Sequence, residues 1–320
     1  TASRGMVVSQ DALATRIGVE ILDKGGNAVD AAVAVGFALA VTMPRAGNLG
    51  GGGFMVIHLA EGNRNTTIDY REAAPAAITK GSFLNDKGDA DIEKSRNSAL
   101  AVGVPGTIAG LAMARDKYGS GKFTLAQLIA PAIRHARQGI LVDNDLFDTL
   151  TLSSGRLSRW PSSARIFTRA DGTPLTQGDR LVQNDLAASL EIIARSGPRA
   201  FYDGLLSNAV ISAVQRAGGV MTATDLKTYR AIERPVLRGT YRGYDIISMG
   251  PPSSGGTLLI QMLNILEGFP LGDASKGYSF HSPQALHVMI EAMKLAFADR
   301  AEYLGDSDKV DVPIASLISK

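Results

Sequence analysis

The sequence Pro44-Arg-Ala-Gly-Asn-Leu-Gly-Gly-Gly-Gly-Phe54 introduces two runs of strand-forming residues, Phe54–Leu59 and 66–70, which are separated by a polar turn. Two such runs around a turn that contains Gly and Asn predict a β-hairpin. The glycines at 50–53 carry no Cβ, so another stretch of backbone can pass close to them. We therefore expect Arg71, which follows the second run, to lie at a strand end beside a glycine-lined hollow.

Consecutive glycines also occur in loops that bind nucleotide phosphates, and the order of the elements bears on this alternative. The common phosphate motifs place a strand first, then the glycine loop, then a helix whose first N–H groups face the anion. Here a helix-like apolar segment at 28–43 precedes the glycines and a strand follows them, and neither Gly-Lys-Ser/Thr nor G-x-G-x-x-G is present. This order favours close packing of two backbones below a pocket over nucleotide binding.

Arg71 has two interpretations when only the residues are considered. An arginine after a strand is most often a solvated ion-pair partner, for which Glu72 is the nearest candidate. A guanidinium on rigid backbone can instead bind a carboxylate through two parallel hydrogen bonds. The glycines before Arg71 and Ala73-Ala74-Pro75 after it offer little side-chain cover. Both interpretations stay open at this level.

The composition of the 320-residue chain indicates a folded protein. Apolar residues make up 45% and charged residues 20%, which allows a sizeable hydrophobic core. The formal net charge is only +2, from 33 basic and 31 acidic residues, without a like-charge block. We therefore expect no nucleic-acid partner. We also expect no membrane span, because the longest uncharged apolar run, at 31–43, is too short to cross a bilayer.

The residues that usually bind metals do not cluster in the sequence, so neither a metal nor a cofactor is predicted. Cysteine is absent, which removes disulfides and thiolate chemistry. Asp306-x-Asp308 resembles the start of a cation loop, but Asp311 stands where such a loop needs glycine, so a solvated acidic turn is expected. The histidines, which show no ligand spacing, are His58, His135, His281 and His287.

The string Pro251-Pro-Ser-Ser-Gly-Gly-Thr257 has the strand, loop and helix order that an anion site at a helix N-terminus needs. The nucleophile pattern G-x-S-x-G fails at both Ser253 and Ser254, because a proline stands where its first glycine is required. Capping of the following helix is the simpler interpretation of the two serines. We assign neither serine a catalytic role.

Helical patterns dominate the rest of the chain. The segment 28–43 carries almost no charge and is expected to be buried on all sides. The segment 152–165, with its Trp160-Pro161 pair, is expected to be irregular. Ser282-Pro283 opens the longest predicted helix, and one face of this helix is an apolar stripe that we expect in the core. The residues of the stripe are Leu286, Met289, Ile290, Met293 and Phe297.

Seven short strings, spread in order along the whole chain, carry a resemblance to a known family. Two of them are Ala-Gly-Asn-Leu-Gly-Gly-Gly-Gly-Phe at 46–54 and Asp-Tyr-Arg-Glu-Ala-Ala-Pro at 69–75. The others lie at 25–34, 104–107, 241–244, 251–256 and 298–306. Together they resemble the large subunit of γ-glutamyltranspeptidase of the bacterial type. Because the match covers the chain in the family's order, it is far more specific than any single motif.

The resemblance implies a mixed α/β fold, the four-layer αββα sandwich of the N-terminal nucleophile hydrolases. Residues 1–320 are then one domain, the large subunit, which contributes helices and part of the central sheets. A small subunit from the same precursor completes the fold and carries the threonine nucleophile. Thr1 can be mistaken for that nucleophile, but Ala-Ser-Arg-Gly-Met after it resembles the opening of the large subunit, so Thr1 is interpreted as a product of trimming.

The resemblance also implies an acyl-transfer reaction in the periplasm or outside the cell. In the family, the arginine that matches Arg71 holds the α-carboxylate of the γ-glutamyl substrate. Arg71 is therefore the predicted substrate-binding residue, and no catalytic residue is assigned to this chain. The threonine of the small subunit attacks the γ-carbonyl of glutathione or a related compound, and water, an amino acid or a dipeptide accepts the acyl group.

Other functions stay open. Relatives in the same superfamily act as cephalosporin acylases on glutaryl side chains or as poly-γ-glutamate depolymerases, and the residues that separate these activities lie mostly in the other subunit. A non-catalytic module that retains the carboxylate pocket is an alternative from a different class. A second polypeptide that begins with threonine favours the enzyme, and a lone chain favours the module.

Overall fold

The computed structural model describes residues 5–320, so Thr1 and its interpretation as a trimming product lie outside the described residues. Helices dominate this part of the chain, and none of them is both long and apolar enough to cross a bilayer. The α-helices are α1 (Ala12–Asp23), α2 (Ala28–Thr42), α3 (Ile92–Asn97), α4 (Thr107–Tyr118), α5 (Leu125–Gln138), α6 (Asn144–Leu157), α7 (Pro161–Phe167), α8 (Asn184–Ser196), α9 (Arg199–Tyr202), α10 (Leu205–Arg216), α11 (Ala223–Thr228), α12 (Gly255–Glu267), α13 (Pro283–Tyr303) and α14 (Ile314–Leu317). The strands are β1 (Phe54–Leu59), β2 (Arg64–Asp69), β3 (Ile140–Leu141), β4 (Arg180–Leu181), β5 (Ile232–Arg234), β6 (Leu237–Tyr241) and β7 (Tyr244–Ser248).

The described residues divide into two compact units. Unit 1 contains the residues up to Gly53 together with Tyr70–Ala231. Unit 2 contains Phe54–Asp69 and Ile232–Lys320. The first hairpin of the chain therefore belongs to unit 2, whereas Arg71 belongs to unit 1.

Unit 1 is built around α2, which packs against α1, α4 and α5. Eleven of its fifteen residues are buried, in line with the near absence of charge, but the prediction of burial on all sides is wrong for one face. The more accessible residues of that face are Ala28, Ala32, Gly36 and Leu39. A capping box begins the helix: the side-chain oxygen of Asn27 accepts the N–H of Asp30 (2.9 Å), and the Asp30 carboxylate accepts the N–H of Asn27 (3.0 Å). Asn27 also donates to the carbonyl oxygen of Tyr118 (2.7 Å), which joins the start of α2 to the end of α4.

Helices α6 and α7 correct the expectation that the segment 152–165 is irregular. Asp143 caps α6 by accepting the N–H of Leu146 (2.9 Å), and Leu146 is buried in a cluster with residues of the β3–β4 sheet. Pro161 occupies the first position of α7, where a helix does not need the missing N–H. The Trp160-Pro161 pair therefore marks the start of a helix rather than a loop.

Unit 2 contains the predicted β-hairpin, which is confirmed. β1 and β2 pair antiparallel, with Phe54 opposite Asp69 and Leu59 opposite Arg64, and β5 pairs with the other edge of β2. β2 begins two residues earlier than predicted, because a 3-10 turn at Glu61–Asn63 closes the hairpin tightly. β6 and β7 form a second antiparallel hairpin that packs against α12.

One arginine ties an acidic turn after α13 to the sheet of unit 2. The Nε of Arg234 donates to Asp69 (2.8 Å), and its two Nη atoms donate to the two carboxylate oxygens of Asp308 (2.9 and 2.6 Å). The hydrogen bonds with Asp308 raise the pKa of Arg234 and lower the pKa of Asp308. The acidic turn is exposed to solvent, as expected, and Asp308 in addition is the ion-pair partner of Arg234.

The apolar stripe of α13 is exposed, which contradicts its predicted place in the core. Between 40% and 58% of each of its five residues is accessible to solvent. α13 packs against α12 and instead buries a row of alanines, Ala285, Ala292 and Ala296. We call the exposed residues the α13 stripe: Leu286, Met289, Ile290, Met293 and Phe297.

Candidate substrate-binding site

Arg71 lies two residues beyond the end of β2, on a backbone segment that is held on both sides. Before it, Tyr70 exchanges two backbone hydrogen bonds with Gly53 (3.0 and 3.3 Å). After it, Ala73 exchanges two backbone hydrogen bonds with Val104 (3.2 and 2.7 Å). The predicted location of Arg71 at a strand end is thus confirmed, and its backbone is fixed by two other segments of unit 1.

The glycines next to Arg71 are required because backbones pass very close to one another. A Cβ on Gly52 would lie 2.4 Å from the carbonyl oxygen of Tyr70 and 2.9 Å from the Cα of Arg71. A Cβ on Gly106 would lie 2.0 Å from the same Tyr70 oxygen. The predicted close packing is therefore confirmed at Gly52, whereas Gly50 has open space around it. We call the closely packed residues the glycine bed: Gly52, Gly53, Gly103 and Gly106.

A carbonyl group ties the glycine run to the start of α4. The oxygen of Gly51 accepts the N–H groups of Gly106 (2.7 Å) and Thr107 (3.0 Å). The side-chain oxygen of Asn48 accepts the N–H of Gly51 (2.9 Å) and the hydroxyl of Thr107 (2.6 Å). In a phosphate site such helix N-terminal N–H groups face the anion. Because Gly51 already occupies two of them, the arrangement argues against the nucleotide alternative.

Two stacked tyrosines support the Arg71 segment, and the sequence reasoning missed both. Tyr229 donates its hydroxyl to the carbonyl oxygen of Arg71 (2.8 Å). Its ring stacks on that of Tyr202, with centroids 5.7 Å apart and ring planes 9° apart. Tyr202 donates to the carbonyl oxygen of Pro105 (2.9 Å) and accepts the N–H of Ala109 (3.2 Å). Burial raises the pKa of Tyr202, so its hydroxyl remains a donor at neutral pH.

The side chain of Arg71 is exposed, although its backbone is tightly held. Glu72, Ala73 and Ala74, which follow it in the chain, are also exposed, and the two alanines offer little side-chain cover. A guanidinium stays charged at any physiological pH, and its planar fork can bind both oxygens of a carboxylate. A backbone that is already fixed reduces the ordering that binding requires. The geometry therefore suits the recognition of a small carboxylate ligand.

The two serines at the start of α12 have structural partners. Ser253 accepts the N–H of Gly255 (3.2 Å), and Ser254 accepts a hydrogen bond from the Nε of Arg300 (3.1 Å). α12 begins without a side-chain cap from Ser254, which corrects the capping interpretation of this residue. Within residues 5–320, no group of three or more His, Asp or Glu side chains is arranged to hold a metal ion.

The chain has a mixed α/β fold of the N-terminal nucleophile hydrolase class. It presents Arg71 next to the glycine bed. The family model described as Gamma-glutamyltranspeptidase matches residues 14–320. This chain belongs to the γ-glutamyltranspeptidase family.

Individual relatives agree with this result. The chain is 51% identical over 320 residues to the glutathione hydrolase proenzyme of Escherichia coli K12, where 100% of this chain aligns with 54% of that protein. It is 42% identical over 330 residues to the acylase ACY 1 proenzyme of Pseudomonas sp. strain V22, which aligns 100% of this chain with 57% of that protein. The crystal structure of Helicobacter pylori γ-glutamyltranspeptidase matches with a TM-score of 0.95 and 43% identity, covering 100% of this chain and 89% of that chain.

The predicted family and the mixed α/β fold class are therefore confirmed. The chain spans about half the length of the curated relatives it matches.

Proposed function

We propose that this chain is the large subunit of a γ-glutamyltransferase that also hydrolyses glutathione, and that it acts with a small subunit from the same precursor. Its family membership supports this, as does the 51% identity to a protein named glutathione hydrolase proenzyme. The organisation of residues 1–320 as a single domain stays a prediction. So does the periplasmic or secreted location, which fractionation of cells that express the complete precursor can test.

Arg71 is the substrate-binding residue in this proposal. Its guanidinium holds the α-carboxylate of a γ-glutamyl donor such as glutathione, so that the γ-carbonyl lies at a fixed distance from it. The threonine hydroxyl of the small subunit adds to this carbonyl, its proton passes to the departing amine, and an ester joins the γ-glutamyl group to the threonine. Water, or the amine of an amino acid or dipeptide, then takes the acyl group and the proton returns to the threonine. Arg71 contributes by positioning the donor.

The observation that carries this proposal is the contrast between the backbone and the side chain of Arg71. Hydrogen bonds at Tyr70 and Ala73, and the hydroxyl of Tyr229 at 2.8 Å, hold the backbone, while the side chain is exposed. A surface arginine that only pairs with Glu72 does not need a backbone held by these hydrogen bonds. A residue that must present its guanidinium in one direction needs a fixed backbone.

The α13 stripe supports the existence of a second polypeptide. Folded monomers rarely expose a contiguous row of large apolar side chains, and Met and aromatic residues are enriched in protein interfaces. A small subunit that covers the stripe removes this surface from water. Intact-mass spectrometry of untagged protein tests the proposal. A second chain with an N-terminal threonine supports the enzyme, and a lone chain favours the non-catalytic carboxylate-binding module.

The substitution Arg71→Gln in the complete precursor tests the site, with Arg64→Gln as the matched control. Arg64 is exposed at the opposite end of β2, so its replacement removes the same charge without touching the glycine bed. We expect Arg71→Gln to raise the barrier measured by kcat/KM for γ-glutamyl-p-nitroanilide by about 2 to 5 kcal/mol, a loss of roughly thirtyfold or more. Arg64→Gln is expected to change it by less than about twofold. Equal kinetics of the two variants contradict the assignment.

A glutaryl acylase is a second candidate, favoured by the 42% identity to the acylase ACY 1 proenzyme. A glutaryl group also ends in a carboxylate, so Arg71 can serve either substrate. The ratio of kcat/KM for glutathione to that for a glutaryl cephalosporin, measured on the wild-type protein, decides between them. A ratio above one supports the transferase, and a ratio below one supports the acylase. Release of glutamate from poly-γ-glutamate tests the depolymerase alternative in the same way.

A further inference from the structure

Unit 1 contains a surface groove of about 550 Å³ that shares no residue with the glycine bed. It is lined by the end of α3 and the segment after it, by the end of α6 and the residues that follow, and by one side of α10. The lining includes the apolar residues Val102 and Val214, and Trp160, which is 43% exposed. A concave site of this volume is large enough for a small organic ligand.

Three arginines line the groove, Arg96, Arg156 and Arg159, and no acidic residue does. Arg159 lies 3.5 Å from Glu93, but the two side chains are 65% and 71% exposed, and ion pairs so exposed contribute little. Within residues 5–320, the side chains of Arg96 and Arg156 have neither an ion pair nor a hydrogen bond. Arg96 and Arg156 therefore give the groove positive charge that no ion pair within residues 5–320 neutralises.

We propose that this groove binds an organic anion that carries two or more carboxylates on a planar apolar body. Guanidinium groups bind carboxylates in a bidentate manner, and a ligand with two carboxylates engages two of the three arginines at once. The exposed indole of Trp160 offers a flat face on which a planar body stacks. The apolar lining removes that body from water. The inference is independent of the proposed function, because no residue of the Arg71 site takes part.

Isothermal titration calorimetry of the assembled protein with terephthalate tests the proposal, since terephthalate has two carboxylates on one planar ring. We expect saturable binding to the wild-type protein that weakens about tenfold in Arg156→Gln and in Arg96→Gln. Both arginines are exposed, so the substitutions leave the fold intact. Arg165→Gln is the matched control, because Arg165 is an exposed arginine of α7 outside the groove. Arg71→Gln is expected to leave terephthalate binding unchanged.

Three further measurements locate the ligand and identify its chemistry. Trp160 is the only tryptophan among the 320 residues, so a fluorescence change that terephthalate causes in the wild type but not in Trp160→Phe places the ligand in the groove. Benzoate, with one carboxylate, is expected to bind about tenfold more weakly. Inorganic phosphate, which has charge without a planar body, is expected not to displace terephthalate.

Four outcomes overturn the proposal. Terephthalate fails to bind saturably, or Arg165→Gln weakens binding as much as Arg156→Gln does. Loss of binding in Arg71→Gln assigns the ligand to the other site. Displacement of bound terephthalate by inorganic phosphate at a similar concentration shows that the groove recognises charge alone.

Discussion

Helix α2 of unit 1 and helix α13 of unit 2 both have the apolar residues of a core helix, but they differ in what covers them. Phe37 of α2 is fully buried, whereas Phe297 of α13 is 58% exposed. α2 is enclosed by α1, α4 and α5 of its own unit, while α13 turns alanines inward and leaves its large side chains outside. An apolar pattern therefore indicates that residues need to be covered, but it does not indicate which chain covers them.

Replacing one phenylalanine in each helix tests this comparison with the largest expected effect. Phe37→Ala opens a cavity in a closed core and is expected to lower the free energy of unfolding by about 3 to 5 kcal/mol, measured by urea denaturation of the assembled protein. Phe297→Ala is expected to weaken association with the proposed small subunit by about 1 to 2 kcal/mol, measured by dissociation on dilution. An equal loss of unfolding free energy in the two variants contradicts the comparison.

Replacing Arg234 tests whether the stability of unit 2 depends on ion pairs, in contrast to the apolar packing around α2 in unit 1. Arg234→Gln removes the ion pair with the carboxylate of Asp69, whose side chain is 7% exposed. Breaking a largely buried pair on one side is expected to cost about 3 kcal/mol of unfolding free energy in urea denaturation. Arg238→Gln is the control, because Arg238 lies on β6, the next strand along the chain, and outside the ion-pair cluster of Arg234, Asp69 and Asp308. A similar cost in both variants contradicts a specific role of the cluster.

The pH dependence of stability follows from the same cluster. The hydrogen bond from Arg234 lowers the pKa of Asp308 in the folded protein, so protonation favours the unfolded chain. The stabilisation is complete above about pH 4, the ordinary pKa of an aspartate, and is lost as the pH falls through the lowered folded value. We expect urea midpoints of the wild type to fall more steeply below about pH 4 than those of Asp308→Asn. If the urea midpoints of the wild type and of Asp308→Asn fall in parallel with pH, Asp308 does not contribute this pH dependence.

The glycine bed tests unit 1 with a smaller change. Gly52→Ala places a Cβ 2.4 Å from the carbonyl oxygen of Tyr70 and is expected to cost about 1 to 3 kcal/mol of stability and to raise KM as Arg71 shifts. Gly50→Ala, in the same glycine run but with open space around it, is expected to change stability by less than about 0.5 kcal/mol. Thermal unfolding and steady-state kinetics measure both effects. If the two variants behave alike, close backbone packing does not support Arg71.

Tyr229→Phe has the smallest expected effect, because it removes one hydroxyl and keeps the ring. The hydrogen bond to the carbonyl oxygen of Arg71 contributes about 0.5 to 1.5 kcal/mol, so KM for γ-glutamyl-p-nitroanilide is expected to rise by up to about tenfold. Tyr244→Phe is the control, because Tyr244 is a 75% exposed tyrosine of unit 2. A change in kcat without a change in KM contradicts a positioning role for Tyr229.

Features that depend on neighbouring residues could be predicted from the sequence. The hairpin and the location of Arg71 after a strand both follow from one continuous stretch of the chain, in which the turn residues decide the geometry. The family resemblance added the predicted substrate-binding role of Arg71, which the residues alone left between an ion pair and a carboxylate site.

Contacts between distant segments could not be predicted in this way. Gly106 looks like an ordinary helix start, although its lack of a Cβ makes room for Tyr70. Tyr229 lies 158 positions from the carbonyl group it binds, and no local pattern connects the two. The α13 stripe has the spacing of a core face, and periodicity cannot distinguish a core from an interface. The contacts of Gly106 and Tyr229 depend on tertiary packing, and cover for the α13 stripe depends on the proposed small subunit.

The hydrogen bond of Tyr229 has a consequence for how heat affects the protein. It joins Arg71 to the segment that follows α11, a helix of six residues, whereas α1, α2, α4 and α5 of unit 1 have 12 to 15 residues. We expect the segment after this short helix to open locally before those longer helices unfold. Local opening of this kind requires less free energy than global unfolding. We therefore expect ligand affinity to decline on warming before the far-ultraviolet circular dichroism changes. Substrate binding then weakens at temperatures at which the helices are still formed.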